Sequence, residues 1–596
     1  MMEGKKMNNE RMKLPKLLKE VDALSKNLSH ENMEMLIHEI ARTWLENRRN
    51  NLLQLMRSYE NISESESCQK YIDDGIFQII LSIESIKERL TQINSAGRLL
   101  ESEYNEEWDD WYNSDVDEVL FSDPKGTLKD INEAMELIHT CVDRELYKEG
   151  YELSVLEVSS EGDYCDYDGS PLYMCELDQY NLLGHEYIPF VKECLYLAYM
   201  GNQLEDRADE IYCMMGNFRC NDVKLEDIMQ YGNDELPQFD AFLPMWIGYL
   251  GTQKSKSADK LLREAQSMIQ DESCLLENAR KYVTKHPSLY QQFLEIKLNS
   301  DESDSMFQIG VEAMEKIPSS YLIRSEIALL TAEYAVKLND HEKMEKCWIE
   351  AFRSETTVVN YMRIRICSNN WKQWEQELKF IIEQTYQKTK NREKNFSCDM
   401  NTERENYLYQ ESYCTMLFFE EQFEKMYSVG MHEKNALGWS STFMKQGLAF
   451  IFLLLFQGKE FPEGMKSMQS MAKSVCEISA DKFYRGTEIN SKLSDNELFS
   501  QLFNSWKNEV QLTIEESKKW LGKIEKWIAG RVTGIMEGNH RNYYGECASF
   551  IAAFGEVQES LGIPDAKAHI MEKYRNEYSR RSAFRKELVI YGMKNR

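Results

Sequence analysis

The spacing of apolar residues constrains this chain most, because it follows the helical period in segment after segment. Residues 321–340 read YLIRSEIALLTAEYAVKLND. Apolar side chains recur there at spacings of four, three, four and four residues, as Ile323, Ile327, Leu330, Tyr334 and Leu338. Such a row forms a single apolar stripe on an α-helix, so the segment predicts a helix that packs on one face.

A second helix is predicted directly after the first. Asn339 and Asp340 interrupt the pattern, and HEKMEKCWIEAFRS at 341–354 resumes it with Trp348 and Phe352. Two amphipathic helices joined by so short a polar turn form an antiparallel hairpin.

The chain shows the same pattern near its C-terminus. YYGECASFIAAFGEVQESLG at 543–562 carries another stripe, and Gly562 and Pro564 are expected to end that helix. A further helix is predicted over 566–592.

Comparable patterns predict most of the remaining helices. They cover 31–58, 72–99, 127–148, 187–202, 256–270, 274–284, 371–388, 405–427, 440–457, 462–478 and 508–537. Pairs recur at roughly 35 to 45 residues, the spacing typical of helical repeats, without a common consensus. The sequence therefore predicts an all-α fold of degenerate, TPR-like helical hairpins that form an elongated or curved superhelix.

The predicted organisation has three parts. A polar tail at 1–14 precedes an N-terminal repeat region at 15–300, and a C-terminal repeat region at 301–596 ends in a basic capping helix. Two stretches, 101–118 and 159–171, interrupt the helical pattern and are expected to be loops or insertions.

Composition excludes several classes of protein. The net charge of −29 disfavours general binding to nucleic acids and to anionic lipid. The 14 cysteines are scattered rather than spaced as a disulfide framework, which indicates a reducing cytoplasm. The N-terminal residues lack the apolar core of a signal peptide, and the longest apolar run, at 448–456, is too short to span a membrane. We expect a soluble cytoplasmic protein.

The insertion at 101–118 contains nine acidic and no basic residues, together with Trp108 and Trp111. These two tryptophans are candidates for contacting a partner, and partial packing on the chain's own helices is the alternative.

The second insertion contains a short stretch that resembles a cation-binding loop. Asp166, Asp168 and Gly169 match positions 3, 5 and 6 of a calcium loop, but Tyr164 and Cys175 occupy its first and last positions, where oxygen ligands are required. The cysteines of YCDYDGSPLYMC also lack the close pairing of a zinc site. A loop is predicted, with adventitious cation binding at the two aspartates as the alternative.

A third stretch imitates a nucleotide-binding loop. In LAFIFLLLFQGKEFPEGMKS at 448–467, glycines and a lysine follow an apolar run. Five residues instead of four separate Gly458 from Gly464, and Met465 intervenes before Lys466. The apolar run is equally typical of a buried helix, and we expect no nucleotide there.

No catalytic residue, metal ligand or cofactor is predicted. Neither an HExxH zinc motif nor a GxSxG serine motif occurs. A cysteine–histidine nucleophile pair stays open as an alternative, because such pairs are assembled in space.

The C-terminal tail is basic on an otherwise acidic chain. From 573 to 596 there are eight basic and two acidic residues, interleaved with aromatic ones. The tail either packs on the chain as a cap or contacts RNA or phosphate. Its candidate binding residues are Arg575, Arg580, Arg581, Arg585 and Lys586.

Several segments resemble the helical region that accompanies SWIM zinc fingers in bacterial proteins. The resemblance rests on KIPSSYLIRSEIALLTAEYAVKLNDHEKMEKCWIEAFRS, on HRNYYGECASFIAAFGEVQESLG with SRRSAFRKEL, and more weakly on ENMEMLIHEIARTW and VDRELYKEGYELSVLEV. It implies an α-helical repeat fold and a binding role. The zinc motif CxCxnCxH itself is missing, since no CxC occurs.

Together these observations predict a non-catalytic scaffold or adaptor of the bacterial cytoplasm that binds a protein or peptide partner. A nucleic-acid-associated protein that uses the basic C-terminal helix is the alternative.

Overall fold

A computed structural model gives the fold of most of the chain. It describes residues 67–96, 101–104, 119–123, 126–159, 164–165, 171–172, 174–219, 223–232, 235–395, 405–431, 443–489, 493–510 and 512–594, with isolated residues between 24 and 38. Within these residues, the fold is all-α apart from two short β-hairpins. Among the described residues, no helix is both long and apolar enough to cross a bilayer.

The chain divides into two compact units, Met1–Gln270 and Asp271–Arg596. The described elements of the first unit are α1 (Ser67–Ala96), β1 (Glu101–Tyr104), β2 (Val119–Ser122), α2 (Thr127–Asp143), α3 (Tyr147–Ser159), β3 (Tyr164–Cys165), β4 (Pro171–Leu172), α4 (Met174–Gln179), α5 (Tyr187–Gly201), α6 (Arg207–Asn217), α7 (Leu225–Tyr231), α8 (Phe239–Thr252) and α9 (Lys256–Ser267). At the centre of this unit, α5 packs against α2, α3, α6 and α7.

The helices of the second unit begin with a regular succession of hairpins. They are α10 (Glu272–Tyr282), α11 (Ser288–Lys297), α12 (Ser303–Lys316), α13 (Leu322–Lys337), α14 (His341–Ser354), α15 (Val358–Cys367), α16 (Glu375–Asn395), α17 (Gln410–Phe419), α18 (Phe423–Met431), α19 (Phe443–Leu455), α20 (Glu463–Cys476), α21 (Ala480–Tyr484), α22 (Asp495–Glu509), α23 (Ile514–Glu537), α24 (Tyr544–Ser560), α25 (Ala566–Glu577) and α26 (Ser582–Ile590). In the later part of the unit, α24 packs against α20, α23, α25 and α26.

The predicted hairpin at 321–354 is confirmed, and its turn is built as the sequence indicated. Asn339 lies in the left-handed region with φ 54°, and the amide of Asp340 donates to the carbonyl of Ala335 at 3.0 Å. The carboxylate of Asp340 then accepts the amide of Lys343 at 3.1 Å and so begins α14. One short turn thereby satisfies backbone groups of both helices.

Two other hairpins use the same three-residue connection. In α2–α3 and α17–α18 the connections are 144–146 and 420–422, and their middle residues, Glu145 and Glu421, have φ 59° and φ 61°. Asn339 holds that position in α13–α14. The three hairpins therefore share a three-residue connection whose middle residue is left-handed.

The apolar run at 448–456 forms a buried helix, as one of its two interpretations predicted. All of its side chains are buried, on every face of α19. Phe450 packs against Phe418 with ring centroids 5.0 Å apart, and Trp506 packs against Phe418 at 4.8 Å. The indole of Trp506 donates to the carbonyl of Phe419 at 2.9 Å, so the polar atom of this aromatic cluster is satisfied.

The end of α24 is also confirmed. Gly562 has φ 91°, and the amide of Ile563 donates to the carbonyl of Gln558 at 3.1 Å. This is the left-handed helix ending that glycine adopts most readily.

Four predictions about elements are wrong. The predicted helix 405–427 is two helices, α17 and α18, and the predicted helix 566–592 is α25 and α26. The predicted helix 508–537 begins at Ile514, where Thr513 and Glu516 form a capping box. The predicted helix 127–148 ends at Asp143, and α3 begins at Tyr147. At the two insertions, β1 pairs with β2 and β3 pairs with β4 in antiparallel fashion.

Candidate functional site

The two insertions leave their candidate residues outside the described part of the chain. Trp108 and Trp111 lie between the paired strands β1 and β2, and Asp166 and Asp168 lie between β3 and β4. All four residues lie outside the part of the chain that the structure describes, so their roles in partner or cation binding stay predictions.

The C-terminal basic residues divide into two groups. Arg581 donates to the side chain of Asn539 at 2.6 Å and to the carbonyl of Met536 at 2.8 Å, at the end of α23. Arg575 pairs with Glu572 at 2.8 Å on its own helix. The other three side chains are exposed, namely Arg580, Arg585 and Lys586.

The aromatic residues of the same tail belong to the core of the second unit. Tyr574 and Phe584 are buried, and the ring of Phe584 lies 5.7 Å from that of Tyr544 on α24. These rings and Arg581 therefore hold α25 and α26 on the fold, which leaves only the exposed basic side chains for an external ligand.

In the segment that resembles a nucleotide-binding loop, a carboxylate of the protein itself occupies the position expected of a bound phosphate. The amides of Gly464 and Met465, in the first turn of α20, donate to the carboxylate of Glu556 at 3.2 and 2.8 Å. Glu556 comes from α24, has a buried side chain, and receives a third bond from Lys567 at 2.6 Å. A helix N-terminus favours an anion, and here the chain supplies its own.

Gly464 is needed for this arrangement. A Cβ at residue 464 would lie 2.6 Å from the backbone nitrogen of Ala553 and 2.7 Å from the carboxylate of Glu556. The glycine that suggested a phosphate loop is thus explained by the close approach of α20 to α24.

A cluster of titratable side chains in the first unit was not recognised in the sequence. His139 on α2 lies 2.6 Å from the carboxylate of Glu193 on α5, which also accepts the hydroxyl of Tyr231 on α7. The hydrogen bond to Glu193 raises the pKa of His139 above its usual value, against the opposing effect of burial. Burial, and then the charge of Glu193, raises the pKa of Tyr231.

This cluster joins three helices and offers no evident nucleophile. His185 adds a contact to Glu136 at 3.2 Å, and its ring lies 6.4 Å from that of His139. Among the described residues, no group of three or more acidic, histidine or cysteine side chains is placed to hold a metal ion. The observed contacts suffice to fix α2, α5 and α7 together.

The second unit carries an open groove of 890 Å³ along α16. One wall is α16, and the other is formed by Ser319, Ser320, Arg353 and Asn406. Asn406 is buried and donates from its amide to the carbonyl of Arg353 at 3.2 Å and to the hydroxyl of Thr356 at 2.8 Å. The far wall is therefore fixed by side chains inside the fold.

Four side chains on α16 face the groove as one stripe. Phe380, Gln384, Gln387 and Asn391 recur at spacings of four, three and four residues, so they fall within about 60° of one another around the helix. All four are exposed, and 56% of the Phe380 side chain is accessible. The described part of the chain supplies no hydrogen-bond partner to the carboxamides of Gln384 and Asn391.

The charged residues of the groove, in contrast, are paired within the protein. Lys388 and Arg392 contact the carboxylate of Glu405 at 3.2 and 3.0 Å, and Arg353 pairs with Glu350 at 3.4 Å. Burial opposes ionisation of Glu405, but Arg392 and Lys388 hold its pKa below the usual range.

Gln387 donates to the carboxylate of Glu383 at 3.0 Å. The carboxamides of Gln384 and Asn391 and the ring of Phe380 are thus the groups of the stripe that the groove presents to a ligand.

Sequence reasoning predicted a helix at 371–388 but assigned no function to this stripe. The row itself is visible in the sequence, since Gln384, Gln387 and Asn391 recur at spacings of three and four residues. Only the structure shows that Ser320 and Asn406, distant in sequence, complete the groove.

No protein-family model matches this chain, and no curated protein matches it significantly.

Proposed function

We propose that this chain is a non-catalytic binding scaffold of the bacterial cytoplasm, and that the groove along α16 holds an extended peptide segment of a partner protein. The observation that carries the proposal is the exposed stripe of Phe380, Gln384, Gln387 and Asn391 on the groove wall.

The chemistry of the stripe matches a peptide backbone. A carboxamide carries both a donor and an acceptor, as does each peptide group, so a row of them recognises main chain largely independently of sequence. The stripe spans about 16 Å of helix. An extended peptide of about five residues covers that distance.

Phe380 supplies the apolar part of the recognition. Aromatic side chains at the centre of a recognition surface commonly provide much of the binding energy. An apolar side chain of the bound segment would pack on this ring, and Ile381 is buried beneath the groove.

The helical architecture supports a repeat-type, TPR-like scaffold. Three hairpins share the same connector, and antiparallel helix pairs such as α13–α14 dominate the second unit. Repeat proteins of this kind bind partners in grooves between stacked hairpins. The resemblance to SWIM-associated helical regions points to the same role and brings no zinc site with it.

Free thiols support a reducing location. The described cysteines are free, and Cys347 and Cys476 are buried in the core. Burial raises the pKa of Cys347 to about 12, which keeps it an unreactive thiol.

The proposal is tested by selecting peptides from a random display library on the full chain and measuring their affinities. For Q384A/N391A we expect the affinity of the selected peptides to fall at least about tenfold, because each lost hydrogen bond contributes on the order of 1 kcal/mol. The matched control is N504A/N508A, which removes two exposed carboxamides four residues apart on α22. Equal binding to both variants would rule the groove out.

Nucleic-acid binding by the exposed basic residues near the C-terminus is the second candidate function. Removing the whole tail would remove the buried Phe584, so the appropriate variant is R580E/R585E/K586E. If the candidate is correct, this variant abolishes a salt-dependent shift of labelled RNA. Absence of any shift with the unaltered chain at low salt excludes it.

A further inference from the structure

A buried carboxylate lies at the centre of the titratable cluster in the first unit. Only 8% of Glu193 is accessible to solvent. Nδ1 of His139 lies 2.6 Å from Oε1 of Glu193, and the hydroxyl of Tyr231 donates to the same oxygen. A carboxylate is costly to bury unless polar groups satisfy it, so these two side chains from α2 and α7 keep Glu193 of α5 in the core.

The charge on Glu193 is balanced by a histidine. Among the described residues, neither a lysine nor an arginine forms an ion pair with this carboxylate, and the nearby cations of α1 are engaged elsewhere. Arg89 contacts carboxylates at the start of α2, and Lys87 pairs with Glu152 of α3 at 2.8 Å. His139 therefore brings a positive charge to Glu193, and it does so only when protonated.

Other acidic groups add to the effect of this proton. Asp143 Oδ2 lies 3.9 Å from Nε2 of His139, and Glu136 lies one turn away on the same helix. The titratable groups that face His139 from the described elements around it are Glu136 and Asp143 of α2, Glu193 of α5, Tyr231 of α7 and His185 of the connection before α5. When His139 is neutral, the three carboxylates of this set lose the cation that lies between them.

The direction of the pH dependence follows from the contact. The hydrogen bond to Glu193 raises the pKa of His139 above 6.5, against the opposing effect of burial. A raised folded-state pKa means that the stabilisation is complete below about pH 6.5 and is lost as pH rises through the folded-state value.

We propose that the contact between His139 and Glu193 is a pH-sensitive device of the first unit, in which protonated His139 holds α2 on α5 and loss of the proton loosens α2, α5 and α7. A hydrogen bond between charged groups is roughly twice as strong as one between neutral groups, so the contact weakens without being abolished. This device is independent of the peptide groove along α16, which belongs to the second unit.

Hydrogen exchange of the full chain, followed by mass spectrometry, tests the proposal. After correction for the intrinsic pH dependence of amide exchange, we expect the protection of 127–143 and 187–201 to fall at least about threefold between about pH 6 and about pH 8.5. H139Q keeps a donor to Glu193 but cannot titrate, so its protection should stay level over that range. The matched control is H569Q, at an exposed histidine of α25, which should behave as the unaltered chain does.

An NMR titration of the chain labelled at its histidine side chains tests the same contact without relying on the stability of a variant. The signal of His139 is the one that H139Q lacks and E193Q displaces. In the unaltered chain its midpoint should lie above about 6.5, and E193Q should lower it.

Three results would overturn the proposal. They are a His139 midpoint at or below about 6.5, protection that falls with pH in H139Q as it does in the unaltered chain, and a pH dependence that H185Q removes while H139Q leaves it.

Discussion

Two helix N-termini of this protein lie beside basic side chains, and they differ in the group that accepts their backbone amides. At α20, the buried carboxylate of Glu556 accepts two backbone amides and the ammonium group of Lys567. At α9, Ser255 satisfies the backbone, and Lys256, Lys260 and Arg263 border an open groove.

The comparison teaches that a local sequence pattern does not tell a structural anion position from a ligand site. The glycines and lysine around the start of α20 resembled a phosphate loop, yet a carboxylate of the chain itself occupies that position. The basic residues of α9 matched no motif. At α20 the buried carboxylate of Glu556 occupies the position that the pattern assigned to a phosphate.

The largest expected effect is at the filled position. Replacing Glu556 with Gln leaves Lys567 without its partner and turns an amide group toward two backbone donors. We expect the free energy of unfolding to fall by about 3 to 5 kcal/mol, as for other broken buried ion pairs. Urea unfolding measures it, with E537Q at the exposed end of α23 as the control.

A double variant sharpens this prediction. E556Q/K567M removes both charges, and it should recover part of the lost stability because no unpaired charge remains. A loss in E556Q no larger than in E537Q would mean that the fold does not depend on this anion position.

A partly exposed carboxylate should show an intermediate effect. Glu312 accepts from Arg280 at 2.7 Å, from Tyr290 at 2.8 Å and from Lys316 at 2.6 Å, which ties α10, α11 and α12 together. The bond from Arg280 contributes most to lowering the pKa of Glu312 to about 2.

Because the folded-state pKa is depressed, the contribution of Glu312 to stability is complete above about pH 4.5 and is lost as pH falls toward 2. We expect a loss of about 1 to 2 kcal/mol over that window, because solvent screens this partly exposed carboxylate. Acid titrations of unfolding should show a shallower slope in E312Q than in the unaltered chain. Identical slopes would contradict the assigned ion pairs.

The next prediction concerns a position where backbone conformation, and not charge, determines the change in stability. Glu145 is exposed and adopts the left-handed conformation between α2 and α3, which glycine adopts without steric conflict. Glu145→Gly should therefore raise stability by about 1 kcal/mol. Lys518→Gly, within α23, should lower it by about 1 kcal/mol. Thermal unfolding distinguishes the two signs, and a fall in both would refute the role of the connector.

The smallest expected effect on stability is at the basic residues of α9. K260Q/R263Q should change the free energy of unfolding by no more than about 0.5 kcal/mol, because charges at the surface contribute little to folding. If K260Q/R263Q lowered the free energy of unfolding as much as E556Q does, the charges at α9 would be as important for folding as Glu556, and the two regions would not differ.

Sequence reasoning succeeded where the signal was local. Asn339 and Asp340 ended and began helices as expected, and so did Gly562 at the end of α24. It failed between α17 and α18, because Glu421 takes a left-handed conformation without glycine, asparagine or proline to indicate it.

The sites were less predictable for a physical reason. Glu556 and Gly464 are 92 residues apart, and their contact depends on the packing of α24 on α20. The α16 stripe was readable as a row of carboxamides, but its opposite wall comes from Ser320 and Asn406. Tertiary contacts of this kind leave no periodicity in the sequence.

The most direct test of the scaffold function is photo-crosslinking from α16. Benzoylphenylalanine in place of Phe380 should crosslink a display-selected peptide, and Q384A/N391A in the same chain should reduce the yield at least about tenfold. The control is the same probe in place of Ile514, which is 76% exposed against 56% for Phe380. Equal crosslinking from the two positions, or a yield that the double substitution leaves unchanged, would contradict peptide binding along α16.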